Sequence, residues 1–217
     1  MGRDNHPRER QARQLERKNP KRATYDRILI VSEGEKTEVN YFGEIRRQYR
    51  LSSAHICICQ SDYGTTPEKV VQYAIARCGE TSKWERVYCV IDRDDHDYYT
   101  NALASVEAHD KKLVNDLGEP IRFTSIPSNP SFELWLLLHF QDSEAFLHRD
   151  DVIRALRAYI PGYSKGKTGT FAATMDRLAV ACERTERLRG REERRGMTNP
   201  CTHVDELVQA LRVLRGD

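Results

Sequence analysis

The chain has 217 residues, 39% hydrophobic and 31% charged, with 35 basic against 33 acidic side chains. That length fits one domain with an appended piece, and the apolar share supports a sizeable core. No run approaches 18 uncharged apolar residues and the opening is polar, which argues against a spanning helix or a secretory signal and leads us to expect a cytoplasmic protein.

Charge is uneven along the chain. Residues 1–22 hold eight Lys or Arg and three acids, a net +5 that leaves −3 on the remainder. A basic arm over residues 1–24 is expected to be disordered, and it could contact a polyanion or a partner protein.

Arg27 to Ser32 is a short β-branched run, read as a buried strand. Lys36 to Tyr49 has Val39, Tyr41, Phe42 and Ile45 at helical spacing. His55 to Gln60 is a second strand. Pro67 then opens a helix running to about Cys78. Arg86 to Asp92 is a third strand that turns abruptly acidic. A polar helix over about residues 98–115 and a fourth strand, Ile121 to Ile126, follow. The βαβαβαβ order predicts an α/β fold, with a parallel sheet flanked by helices. Ser131 to Phe140 is a dense apolar helix begun by Pro130 and buried through Leu134, Trp135, Leu137 and Leu138. His139 reads as a semi-buried histidine. Residues 150–159, 170–188 and 203–215 are three more helical patterns. The arginine-rich stretch Glu183–Arg195 reads as a solvated helix end and loop. This divides the chain into the arm, a core over residues 25–140 and a helical extension over 141–217 packed on it.

The six cysteines, at 57, 59, 78, 89, 182 and 201, contain no C-x-x-C pair. His203 near Cys201 has no zinc-ligand spacing, so all six read as reduced core thiols.

Two acidic segments follow predicted strands. Glu33-Gly34-Glu35-Lys36-Thr37-Glu38 comes after the first, where a parallel sheet binds its ligands. Glu35 and Glu38 suit a helix N-terminus without catalysis. Glu33 precedes the turn and is left unexplained by that role. Asp92-Arg93-Asp94-Asp95 follows the third strand, and extended backbone turns Asp92 and Asp94 the same way. Hard oxygen donors so placed suit Mg²⁺ or Mn²⁺. Gly162 to Gly169 contains G-K-T, but Pro161 stands where a P-loop needs glycine, so ATP binding is rejected. Lys165 remains a candidate for stabilising phosphoryl charge, and Lys167, Arg46, Arg47 and the arginines of residues 184–195 for phosphate contact.

A glutamate-glycine after one strand and an aspartate pair after another resemble the TOPRIM domain of topoisomerases, primases and OLD-type nucleases. More narrowly, the chain resembles the RloB-like family. The matching segments are Ile30 to Phe42, Val90 to Asp94 and Ser128 to Phe140, with Asn199-Pro200 and Thr202-His203-Val204 near the end. The likeness spans about residues 25–212, and the third segment is the most specific. It implies a metal-dependent nuclease in a bacterial defence system, working beside an AAA-type or ABC-type ATPase on DNA or RNA. Glu33, Asp92 and Asp94 would carry Mg²⁺ or Mn²⁺, Asp95 and Glu133 a second position. A nucleotidyl or phosphoryl transferase on the same acids, or a non-catalytic regulator of the ATPase, are the alternatives. No tyrosine stands in a motif that demands a nucleophile.

Overall fold

The computed structural model describes residues 26–93, 98–196 and 198–215. Five strands form one sheet in the order β2-β1-β3-β4-β5. These are β1 (Ile28–Ser32), β2 (Ile56–Gln60), β3 (Arg86–Asp92), β4 (Arg122–Asn129) and β5 (Cys201–Thr202). The first four are mutually parallel, and β5 pairs antiparallel with the end of β4. The expected α/β architecture is present.

Alternation along the strands builds two cores. Ile28, Ile30, Tyr88, Val90 and Ile126 face one side of the sheet. There they pack with α1 (Thr37–Gln48), α4 (Glu133–Leu138), α5 (Arg149–Tyr159), α6 (Thr170–Thr174), α7 (Leu178–Arg195) and α8 (Val204–Val213). Leu29, Val31, Val87, Cys89 and Ile91 face the other side, against α2 (Pro67–Thr81) and α3 (Tyr99–His109). Every residue of β1 is buried, because helices cover both faces of this central strand.

Four boundaries differ from the sequence reading. The helix expected over 98–115 stops at His109, where the Asp110 carboxylate accepts from Phe123 N–H. The following segment turns back through a bridge of Val114 with Pro120. Strand β4 runs on to Asn129 because Ser128 pairs with both Asp92 and Thr202. Pro130 does not start the next helix; it follows a cis bond, and α4 begins at Glu133. The pattern over 170–188 is split by a 3-10 turn at Met175–Arg177, and α7 then continues to Arg195. Gly196, at φ 63°, ends it with the left-handed residue that commonly closes helices. Among the described residues no helix is long and apolar enough to cross a membrane.

His139 is deeper than expected, 1% exposed at the end of α4. Its Nδ1 donates to the Trp135 carbonyl at 2.9 Å, and burial pushes its pKa down to about 4. A histidine depressed in the folded state stabilises above its unfolded pKa, and that stability is lost as pH falls through the folded value. Between pH 6.5 and 4 the neutral ring therefore makes acid cost about 3 kcal/mol. Urea unfolding of wild type and His139→Leu across this window checks it. The variant should be less stable at pH 7 but lose less stability on acidification.

Candidate functional site

The C-terminal ends of β1 and β3 lie side by side, and each delivers a carboxylate. Glu33 N–H donates to the Val90 carbonyl at 3.2 Å, extending the β1–β3 ladder by one residue. The side chain of Glu33 crosses to β3, where its Oε2 accepts from Asp92 N–H at 3.3 Å. Both carboxylates are largely buried, as a site between adjacent strand ends requires.

A third carboxylate comes from the first turn of α1. Glu38, Tyr41, Phe42 and Ile45 share one buried helical stripe, so Glu38 points inward with the core residues. Gly34 makes room for it: a Cβ there would lie 2.0 Å from Glu38 Oε2. That oxygen is buried and has no hydrogen-bond donor among the described residues. Burial, with the charge of Glu133 added, raises the Glu38 pKa to about 7, while Lys165 and nearby backbone amides act the other way. The group needs positive charge beside it to stay ionised.

Glu133, the first residue of α4, is the fourth carboxylate and is 1% exposed. Ser131 Oγ donates to its Oε2 at 2.7 Å and the Tyr163 hydroxyl to its Oε1 at 3.3 Å. Burial, then Glu133, raises the Tyr163 pKa, which keeps this phenol a neutral donor. Lys165 Nζ stands 3.9 Å from Glu133 Oε1 and is half-exposed.

The glycine-rich loop carries Lys165 to the site by docking on the turn after β1. Gly166 N–H donates to Thr37 Oγ1 and its carbonyl accepts from Asn40 Nδ2, both at 2.9 Å. Gly166 has φ +80° and its missing Cβ would lie 2.8 Å from Lys36 Cβ, so glycine is required there. The loop is a packed wall of the site.

Together these groups line a cleft of about 420 Å³ with Glu33, Glu38, Asp92, Glu133, Arg149 and Lys165 on its surface. Among the described residues, no three of the four carboxylates bring one oxygen each within 4.8 Å of the others. Mg²⁺ does not need three touching carboxylates, since it binds through one or two, with waters and substrate oxygens completing its shell. The all-oxygen donor set and the orphaned Glu38 oxygen fit such an ion. Asp94 and Asp95 lie outside the described residues.

The other predicted residues are dispersed. Arg46 and Arg47 occupy the last turn of α1, and Arg46 donates to the Ile56 carbonyl at the start of β2. They are at the opposite end of the sheet from the cleft, eight and nine residues beyond Glu38 and so about 12–14 Å along the helix axis. Lys167 Nζ donates to the Pro161 carbonyl and does not line the cleft. The arginines of α7 are largely occupied by protein. Arg184 and Arg187 pair with Asp142, Arg189 with Asp205 and Arg191 with Glu144. The expected helix end is there, but the segment stays helical to Arg195 and is tied to the body of the protein, where its composition suggested a solvated loop.

The model of the family described as RloB-like protein matches residues 28–211. The chain belongs to the RloB-like family. No curated protein and no solved structure matches it significantly. The span of the RloB-like match takes in both strand-end carboxylates, the α4 glutamate and the lysine loop.

Proposed function

We propose that the chain is a metal-dependent nuclease, the effector of a bacterial defence system gated by a partner AAA-type or ABC-type ATPase. The observation that carries this is the convergence of Glu33, Asp92, Glu38 and Glu133 with Lys165 in one cleft at the C-terminal edge of a parallel sheet. Membership of the RloB-like family supports the defence setting. The TOPRIM likeness of the sequence supports phosphodiester chemistry.

Glu33 and Asp92, with Asp94, would hold Mg²⁺ or Mn²⁺, and Asp95 and Glu133 would serve a second position. The ion, when bound, polarises the scissile phosphate and lowers the pKa of an attacking water. Lys165 Nζ stands where it can take up negative charge developing on the phosphoryl oxygens. Ser131 and Tyr163 fix the Glu133 carboxylate, so its orientation is set before substrate arrives. Glu38 adds a buried oxygen that a cation in the cleft would hold ionised.

The test is incubation of the full chain, with and without its ATPase, with DNA and tRNA in Mg²⁺ or Mn²⁺. Metal-dependent cleavage that needs the ATPase supports the reading. Incorporation of added nucleoside triphosphate would instead make it a transferase, and inertness under every condition would make it a regulatory subunit. Rapid cleavage by the isolated chain would end the gating part of the proposal.

The basic arm, residues 1–22, lies outside the described residues. Its deletion should weaken nucleic-acid binding more at low salt than at high. Each lost phosphate contact should flatten the log–log salt slope by about 0.7–0.9. Filter binding across a salt series measures this. An unchanged slope with a lost ATPase complex would reassign the arm to protein docking.

A further inference from the structure

A second group of metal-ligand side chains lies at the sheet edge, away from the carboxylate cleft. Glu192 near the end of α7, Cys201 in β5 and His203 just before α8 bring one ligand atom each within 4.8 Å of one another. Cys201 Sγ lies 3.0 Å from Glu192 Oε2, which lies 3.7 Å from His203 Nε2. Tetrahedral zinc, with bonds of about 2.0–2.3 Å, sets its ligands roughly 3.3–3.8 Å apart. The three atoms can close on such an ion with small side-chain movements.

Two further observations point to a ligand here. His203 Nδ1 is 2.9 Å from Glu206 Oε1, so it donates to that carboxylate and leaves Nε2 to the cluster as an acceptor. A carboxylate behind the ring is the usual support for a zinc-binding histidine. The cluster also opens into a cleft of about 270 Å³ that Arg93, Tyr99, Asn129 and Thr198 help to line, with space for a water as fourth ligand. Burial and the Glu192 carboxylate raise the Cys201 pKa, so the free protein holds the thiol proton.

We propose that Glu192, Cys201 and His203 form a zinc site that clamps the end of α7 and the start of α8 to β5. On binding, the Cys201 S–H proton passes to solvent as the sulfur–metal bond forms. Thiolate and carboxylate then balance the two positive charges of the ion, with a neutral imidazole as third ligand. Sulfur and imidazole nitrogen favour zinc over Mg²⁺, whereas the oxygen-only cleft favours the reverse, so the two sites sort their metals. Cys201 pairs with Asn129, and the neighbouring Thr202 with Ser128, the partner of Asp92, so the clamp braces the strand beside the strand-end carboxylates.

The experiment is a Co²⁺ titration of the full metal-free chain, followed by displacement with Zn²⁺. The expected result is a thiolate-to-cobalt charge-transfer band that reports a single site and that Zn²⁺ abolishes; Co²⁺ held by the carboxylate cleft gives no such band. Cys201→Ser should lose the band; Asp92→Asn and the double variant Cys57→Ser/Cys59→Ser should keep it. Glu206 contacts the imidazole from the surface, and Glu206→Gln should weaken zinc binding about 10–100-fold without changing the circular dichroism. A wild-type chain with no sulfur-to-cobalt band overturns the proposal. So does a band that survives Cys201→Ser, or a Glu206→Gln chain that binds zinc as tightly as wild type.

Discussion

Asp92→Asn should lower metal-dependent cleavage about 10³-fold, since the ion it would help hold is worth several kcal/mol of transition-state stabilisation. The same substitution should leave the fold intact. Asn keeps the shape of Asp, and the hydrogen bond that ties this position to Glu33 comes from the backbone N–H, which the variant retains. Thermal unfolding without metal should be unchanged or slightly raised, because one charge leaves a crowded acidic edge. Activity assayed over an Mg²⁺ and Mn²⁺ series, beside melting curves, separates lost chemistry from lost structure. Full activity in a folded Asp92→Asn chain would remove the strand-end site from the mechanism.

The sequence made the strand ends legible because two local signals coincide at each. An apolar β-branched run reports a buried strand, and the acid after it reports what the sheet edge presents. Glu33 and Asp92 follow from that rule, and the structure sets them side by side. Glu38 was legible too, but by a different signal. Read as a partner of the helix dipole, it is in fact on the 38, 41, 42, 45 stripe, and a carboxylate on an apolar stripe is the feature to notice. Lys165 could be chosen for its chemistry only. Its position comes from Gly166 docking on Thr37, a contact across 129 residues that no local pattern encodes. Strand β5 has two residues, too few for any periodicity, and exists because the end of β4 offers it an edge.

The zinc-like cluster shows how one misjudged boundary hides a site. Cys201 and His203 alone have no ligand spacing. The third residue, Glu192, arrives because α7 continues to Arg195 instead of ending near 188. The dense charge of residues 183–195 argued for a helix end and loop there. Leu188, buried in the core, and the largely buried pair of Arg189 with Asp205 hold the segment on the body of the protein. Tertiary contacts outweighed local propensity, and they did so beside the residues that could bind metal.

Trp135→Ala should be the most damaging single change to the fold. Trp135 is fully buried in α4, its Nε1 donates to the Tyr41 hydroxyl at 2.8 Å, and its ring meets His139 edge-on at 4.6 Å. Truncating a buried tryptophan costs about 3–5 kcal/mol through lost contacts and the cavity left behind. For a chain of this size each kcal/mol moves the midpoint by about 2–4 °C, so the drop should be near 10 °C. Tyr41→Phe should cost about 1–3 kcal/mol, because it strands the buried indole N–H while leaving the packing in place. Glu133 sits two residues before Trp135 on the same six-residue helix, so loosening α4 should also displace a carboxylate of the cleft. Isothermal titration with Mn²⁺, run well below the melting range, should therefore find Trp135→Ala weaker than wild type and Tyr41→Phe nearly unchanged. A Trp135→Ala midpoint within two or three degrees of wild type would mean that α4 does not organise this core, and the link from core to cleft would fall with it.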